Sequence, residues 1–93
     1  MPTITLNDGT MYNCLFCGLA SVGILYLDVP VATLAEALQI FSNKENAKRL
    51  VYKTPEEEIT YNNFTKVVGV EWAYNDSSAV RVALRRPYEG EEV

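Results

Sequence analysis

An alternation of polar and apolar residues at the start of the chain predicts a β-hairpin. It runs over Thr3 to Leu6 and resumes over Met11 to Cys14, with Asp8-Gly9 between the two stretches. Asp-Gly favours a two-residue hairpin turn because both residues tolerate positive φ angles. Pairing across such a turn would place Leu6 opposite Met11.

A 3.6-residue apolar period predicts one helix, over residues 33–42. Its apolar stripe falls at i, i+3, i+4 and i+7 and consists of Leu34, Ala37, Leu38 and Phe41. Thr33 and Glu36 have the spacing of a capping box, which would fix the start of the helix. A helix this short is not stable alone, so its stripe is expected to pack against a sheet.

Three further strands are predicted from β-branched and aromatic residues. Ile24 to Val29 forms one strand, which Pro30 stops because proline has no N–H for a strand ladder. Arg49 to Thr54 forms the second, and beyond Pro55 the stretch Glu57 to Tyr61 is a candidate for a third.

A second hairpin is predicted near the C-terminus. Its first strand places four side chains on one face, namely Val68, Val70, Trp72 and Tyr74. Its second strand has an apolar face made of Val80, Val82 and Leu84. A loop of three or five residues, with room for a bulge, pairs Trp72 with Val82 and keeps apolar residues opposite one another. Since these partners are all apolar, Trp72 is predicted to lie in the core.

These elements predict a single α+β domain. The order is β-β-β-α-β-β-β, and we expect a largely antiparallel twisted sheet of about five or six strands with the short helix packed on one face. The chain has 93 residues, of which 48% are apolar and 22% are charged, and this suits one globular domain. Residues 1–87 are assigned to the domain. Residues 88–93 are assigned to a flexible acidic tail because they carry no helix or strand pattern.

Charge and apolar pattern bear on partners and location. Acidic residues outnumber basic ones by 12 to 8, and the net charge of −4 opposes binding to a phosphate backbone. The longest apolar stretch, Leu15 to Val31, is broken by Gly18, Gly23 and Pro30, so it does not predict a membrane span. The N-terminus lacks the basic and apolar segments of a signal peptide. We therefore expect no nucleic-acid binding, no membrane binding and a cytoplasmic location.

Cys14 and Cys17 have the spacing of zinc-binding or redox pairs. The chain has no histidine and no other cysteine, so a tetrahedral zinc site would need carboxylates or a second subunit. The pair also lies in a strand-like stretch, without the helix start that would lower a thiol pKa. This pattern favours buried, reduced cysteines.

Other catalytic chemistries find little support in the sequence. Without histidine there is no ordinary serine or cysteine triad. The run Glu56-Glu57-Glu58 contains a carboxylate pair, but its polar surroundings indicate solvated side chains. An anion could be bound by Arg81, Arg85 and Arg86. Glu71 lies diagonal to two of them in the predicted hairpin, which favours a solvated surface instead. We expect no enzyme activity, no catalytic or cofactor-binding residue, no cofactor and no metal site.

Three short segments carry a resemblance to a known group of proteins. They are Ile4-Thr5-Leu6-Asn7-Asp8-Gly9-Thr10, Thr33-Leu34-Ala35-Glu36-Ala37-Leu38-Gln39-Ile40-Phe41-Ser42 and Tyr61-Asn62-Asn63-Phe64-Thr65-Lys66-Val67-Val68. In that order they resemble small uncharacterised proteins of phages and prophages of Gram-positive gut bacteria. Such proteins tend to be encoded near tail and lysis genes, which implies a minor structural or accessory role, in the bacterial cytoplasm or associated with the virion. The chain departs from the pattern at Asn63, where a glycine is often found, and over Cys14 to Gly23, which has no clear counterpart.

The leading hypothesis is therefore a non-enzymatic, phage-derived structural or assembly module that acts through a protein partner or through self-association as a homo-oligomer. A domain this small buries a limited fraction of its surface, and an exposed strand edge could pair with another copy. The alternative is a small acidic regulatory protein that binds a host protein. A third hypothesis is a metal-binding protein that uses Cys14 and Cys17.

Overall fold

The protein folds into two antiparallel sheets and one α-helix. The structure is a computed structural model that describes residues 1–73 and 78–91. The strands are β1 Thr3–Thr5, β2 Met11–Asn13, β3 Phe16–Leu19, β4 Ile24–Pro30, β5 Arg49–Lys53, β6 Glu58–Asn62, β7 Lys66–Trp72 and β8 Ala79–Arg85, and the helix is α1 Leu34–Phe41. Short 3₁₀ turns occur at Ser21–Gly23, Val31–Thr33 and Lys44–Ala47. Sheet I has the strand order β2-β1-β5-β6, and sheet II has the order β3-β4-β8-β7.

The predicted α+β class with a single short helix is confirmed. The arrangement of the strands differs from the prediction of one sheet with five or six strands. The described residues form eight strands in two sheets, and four strands come before α1 in the chain and four after it. The additional strand before the helix is β3, in which Gly18 interrupts the apolar pattern. Alternation along a strand shows its two faces, but it does not show which strands share a sheet.

The first hairpin is confirmed, but its register is one residue away from the predicted one. Thr5 pairs with Met11, and the amide of Leu6 donates to the carbonyl of Thr10 at 2.8 Å. The amide of Gly9 donates to the carbonyl of Leu6, and Gly9 has a φ of 91°. The loop is therefore a three-residue turn that ends in a left-handed glycine. A shift of one residue reverses the faces, so Leu6 is buried and Met11 is exposed.

The predicted helix is confirmed, but the predicted capping box does not form. The hydroxyl of Thr33 donates to the carbonyl of Pro30 at 3.0 Å, and its side chain makes no hydrogen bond to cap α1. The 3₁₀ turn Val31–Thr33 runs directly into the helix, so Thr33 already lies within a turn. The apolar stripe of α1 points inward and buries Ala37 and Phe41.

The core is formed by the inner faces of both sheets together with α1. Its most enclosed side chains are Leu25, Leu27, Leu50, Phe64, Val82 and Leu84. The predicted strand over Ile24 to Val29 is confirmed as β4, and it pairs along its whole length with β8 in the middle of sheet II. The centre of sheet II is therefore the most deeply buried part of the fold.

The second hairpin keeps its predicted faces at Val70 and Trp72, but its register is two residues away from the prediction, and beyond the bulge Val67 rather than Val68 shares the face of Leu84. Trp72 pairs with Val80 and Val70 pairs with Val82, so apolar residues still face apolar residues. The ladder is interrupted by a bulge between Val67 and Gly69. Residues 74–77, which include Tyr74 and most of the predicted turn, lie outside the described residues.

No helix in the described ranges is long and apolar enough to cross a membrane.

Candidate functional site

Cys14 and Cys17 lie in the core on either side of the start of β3. The amide of Cys14 donates to the carbonyl of Pro2 at 3.0 Å, and Cys17 pairs with Leu27 of β4. Both thiols are free and buried. Burial raises the pKa of Cys14 to about 11 and also raises the pKa of Cys17. A thiol must lose its proton to bind a metal or to exchange a disulfide, so this environment favours buried, reduced cysteines.

The acidic run lies at the exposed turn between β5 and β6. The predicted strands over Arg49 to Thr54 and Glu57 to Tyr61 are confirmed as this pair of strands. The hydroxyl of Thr54 accepts the amide hydrogens of Glu56 and Glu57, at 3.2 and 3.1 Å. These two glutamates and Glu58 are exposed, as the sequence predicts. Within the described residues, no group of three or more cysteine or carboxylate side chains is placed to hold a metal ion.

Arg81 is bound within sheet II. Its Nε and Nη2 atoms donate to the two carboxylate oxygens of Asp28, at 2.8 and 2.9 Å, and its guanidinium lies 4.7 Å from the centre of the Tyr26 ring. Glu71 lies opposite Arg81 on β7, whereas the sequence predicted a diagonal position. Sequence reasoning missed Asp28 as the partner, because the pairing of β4 with β8 joins residues that are far apart in the chain.

The other two arginines contact different parts of the chain, Arg85 the segment near its C-terminus and Arg86 the end of β6. Arg85 donates two hydrogen bonds to the carboxylate of Glu91, at 2.7 and 3.1 Å, and its guanidinium lies 3.9 Å from the centre of the Tyr88 ring. Arg86 donates to the backbone carbonyl of Asn62 at 2.9 Å. Within the segment assigned to an acidic tail, Tyr88 and Glu91 therefore contact the domain through Arg85. The guanidinium groups of Arg85 and Arg86 therefore have partners in the protein, whereas the sequence favoured a solvated surface for them.

The most unusual surface of the protein lies on β7. In the described chain β7 pairs with β8 on one side, and its other edge has no strand partner. The apolar side chains of this strand are all exposed, to between 39% and 64%, and they are Val67, Val68, Val70 and Trp72. We call these four residues the β7 ledge. Large apolar side chains gathered on an open strand edge mark a surface for association.

The β7 ledge continues the inner face of sheet II beyond the core. Trp72 and Val70 are paired with Val80 and Val82, and both of these partners are buried. Paired residues in an antiparallel ladder project from the same face of the sheet. The face of β8 is therefore covered by the core, while the same face of β7 extends past it into solvent.

The prediction that Trp72 lies in the core is wrong. Its side chain is 64% exposed, although its strand partner is apolar and buried. Apolar partners show on which face a side chain lies, but whether that face is covered depends on the position of the strand in the sheet. One feature of the sequence could have indicated this. The run Val67-Val68-Gly69-Val70 is apolar without the polar alternation that is typical of a half-buried strand.

Comparison of the chain with protein-family models, with curated proteins and with solved structures gave no match. The function is therefore argued from the geometry of the chain itself.

Sheet II also has apolar residues at its opposite edge. Phe16 and Leu19 of β3 are exposed, and so are Leu15 and Val22 beside this strand. By contrast, the edge strand β6 of sheet I presents exposed residues that are polar or charged, namely Glu58, Thr60 and Asn62. Charged and polar residues protect a strand edge from pairing. The other edge strand of sheet I, β2, exposes Met11, so sheet II carries more of the exposed apolar residues than sheet I.

Proposed function

We propose that this protein is a non-enzymatic structural or assembly component that self-associates through β7, in keeping with the phage accessory role that its three resembling segments imply. The observation that carries the proposal is the β7 ledge, in which four exposed apolar side chains lie on an open strand edge. Monomeric proteins rarely leave such an edge unprotected.

The protection that edge strands normally carry is weak on β7. Charged residues, proline and inward-pointing charges are the usual devices against edge pairing. In β7 the charges are Lys66 and Glu71, near the two ends of the strand, and the four residues Val67 to Val70 between them carry none. The middle of the strand therefore lacks protection by charge, and its bulge between Val67 and Gly69 is the feature that a pairing strand has to accommodate.

The sequence of β7 is suited to pairing with its own copy. A two-fold antiparallel pair requires one residue to face its own equivalent, and Val70 is suited to that position. Val68 then lies opposite Trp72 of the second copy, and Glu71 lies opposite Gly69. This register brings Val70 next to its own copy, places Trp72 opposite the bulge at Val68, and keeps like charges from facing each other directly.

Such a pair would also reduce the solvent exposure of the β7 ledge. A two-fold axis perpendicular to the sheet keeps the inner faces of both copies of sheet II on the same side. The two ledges then lie next to each other in one continuous eight-stranded sheet and shield each other from water. Each copy carries a net charge of −4, so mutual repulsion opposes the pair at low ionic strength.

Sedimentation velocity over a range of protein and salt concentrations tests this proposal. We expect a reversible dimer whose population rises with the protein concentration and with the salt concentration. Val70→Lys should abolish it, because the substitution places two charges at the centre of the interface. Val31→Lys is the matched control, since Val31 and Val70 are both 43% exposed, and it should behave as wild type.

A wild-type chain that stays monomeric at all concentrations would contradict self-association, as would a dimer that survives Val70→Lys. The first result would favour the alternative of a small acidic protein that binds a different host protein. The fluorescence of Trp72 gives an independent measurement of association because it is the only tryptophan in the chain. Its fluorescence emission should move to shorter wavelength as wild-type protein is concentrated, and should not move in Val70→Lys.

A further inference from the structure

A cavity of about 360 Å³, open to solvent, lies between α1 and the inner faces of the two sheets. Its apolar walls include core residues from both sheets and from the helix, among them Ile4, Leu6, Leu27, Val29 and Phe41. Protein interiors are close-packed and leave few spaces larger than a water molecule. The volume falls in the range of small-molecule pockets, and the walls have the apolar character of such pockets.

The space exists because α1 presents a small residue to it. Ala37 and Phe41 are the two residues that the helix buries, and both line the cavity. The methyl group of Ala37 reaches much less far than the Leu or Ile side chains that usually fill such positions. A ligand could therefore occupy the space without displacing the helix.

The mouth of the cavity is polar and carries a negative side chain. Its exposed rim includes Asn13, Thr33 and Glu36. The hydroxyl of Thr33 is already engaged with the carbonyl of Pro30. Among the lining residues of the described chain, Glu36 has the only charged side chain and there is no basic one. An anionic head group would meet a carboxylate there, whereas a cation would find a partner.

We propose that this cavity binds a small amphiphilic amine, with its apolar body against the core residues and its ammonium group at the carboxylate of Glu36. This inference does not depend on the association proposed for β7, because the cavity is lined by β1, β2, β4 and α1 and contains no residue of the β7 ledge.

The test uses three probes of equal chain length, namely n-hexylamine, hexan-1-ol and sodium hexanoate. Binding is followed by the amide shifts of the full-length protein in two-dimensional NMR, with residues of α1 and β4 as reporters. We expect saturable binding in the order amine, alcohol, carboxylate. Reversing the charge of the head group near an exposed carboxylate should change the affinity by about tenfold.

Two variants localise the binding. Ala37→Leu should narrow the cavity and weaken binding of all three probes, while Ala35→Leu, an exposed position on the same helix, should leave it unchanged. Glu36→Gln should keep the affinity for the alcohol and remove the preference for the amine. The Glu36→Gln arm keeps the test decisive even if Ala37→Leu disturbs the fold, because Glu36 is exposed.

Several outcomes would overturn the inference. They are the absence of saturable binding by any probe, equal binding by an Ala37→Leu variant that is folded, and tighter binding of hexanoate than of hexylamine. The last would mean that Glu36 does not set the charge preference at the mouth of the cavity.

Discussion

Asp28 on β4 lies directly opposite Arg81 on β8 and accepts two hydrogen bonds from its guanidinium, at 2.8 and 2.9 Å. Asp28 is buried, so its carboxylate has lost most of its contact with water and relies on Arg81 for compensation. The interaction joins the two central strands of sheet II on the face opposite the core, since Leu27 and Val29 beside Asp28 point inward.

We predict that Asp28→Ala lowers the free energy of unfolding by about 2 kcal/mol, the usual range for losing hydrogen bonds to a charged group. Glu71→Ala is the matched control, because Glu71 also lies opposite Arg81 but is exposed, and it should cost less than about 0.5 kcal/mol. Urea denaturation followed by circular dichroism measures both. Equal effects of the two substitutions would show that the Asp28 pair does not stabilise the sheet.

The contact between Arg85 and Glu91 predicts a response to acid. The hydrogen bonds from Arg85, followed by the one from the amide of Tyr88, lower the pKa of Glu91 from 4.5 to about 2. A carboxyl whose pKa is lower in the folded state contributes stability above its unfolded pKa, and this contribution is lost as the pH falls from about 4.5 towards 2. The chain near Tyr88 should therefore detach in that window, before the sheets unfold.

An NMR titration of the Glu91 carboxyl carbon and of the Tyr88 amide measures this transition. Arg85→Ala should move the midpoint back towards 4.5, because it removes the largest cause of the lowered pKa. A wild-type midpoint near 4.5 would exclude the contact in solution.

The buried thiols predict a loss of stability in alkali. Burial raises the pKa of Cys14 from 9.0 to about 11, so the folded state holds its proton where the unfolded state releases it. The contribution to stability is complete below about pH 9 and is lost as the pH rises towards 11. Denaturant midpoints should therefore fall across this window, and Cys14→Ala should reduce the fall.

Reaction of both cysteines with a thiol reagent at neutral pH should be slow in the native protein and fast in denaturant. Fast labelling of the native protein would contradict the burial of the pair.

The hydroxyl of Thr65 predicts a stabilising substitution. Thr65 is buried just before β7, and its Oγ1 atom has no hydrogen-bond partner in the described part of the chain. Thr65→Val replaces this hydroxyl with a methyl group of similar shape and should raise the free energy of unfolding by about 1 kcal/mol. Thr60→Val, at an exposed position on β6, should change it by less than about 0.5 kcal/mol. A thermal melt that ranks Thr65→Val below wild type would indicate that the hydroxyl is hydrogen-bonded after all.

Local patterns predicted the helix and most strands, although the local capping box of Thr33 and Glu36 does not form. The period of α1 and the composition of β4, β5 and β6 are properties of short stretches, and each predicted element is present. The first hairpin forms as expected from its turn residues. Its register was misjudged because Asp8-Gly9 is compatible with both a two-residue and a three-residue loop, and only the structure shows that Gly9 closes the longer one.

Contacts between residues distant in sequence could not be predicted from local patterns. The partner of Arg81 is 53 residues away, on a strand whose neighbours no local pattern specifies. The same holds for the cavity under α1, which forms where two sheets and a helix meet around Ala37.

The sequence by itself determined that Val70 and Trp72 share a face with Val80 and Val82, since the period of two in a regular strand is a property of the backbone. Only the tertiary structure decided that this face is covered at Val80 and Val82 and open at Val70 and Trp72. The reason is that burial depends on what lies opposite a strand, and sheet order, which places β7 at an edge, is a property of the whole chain.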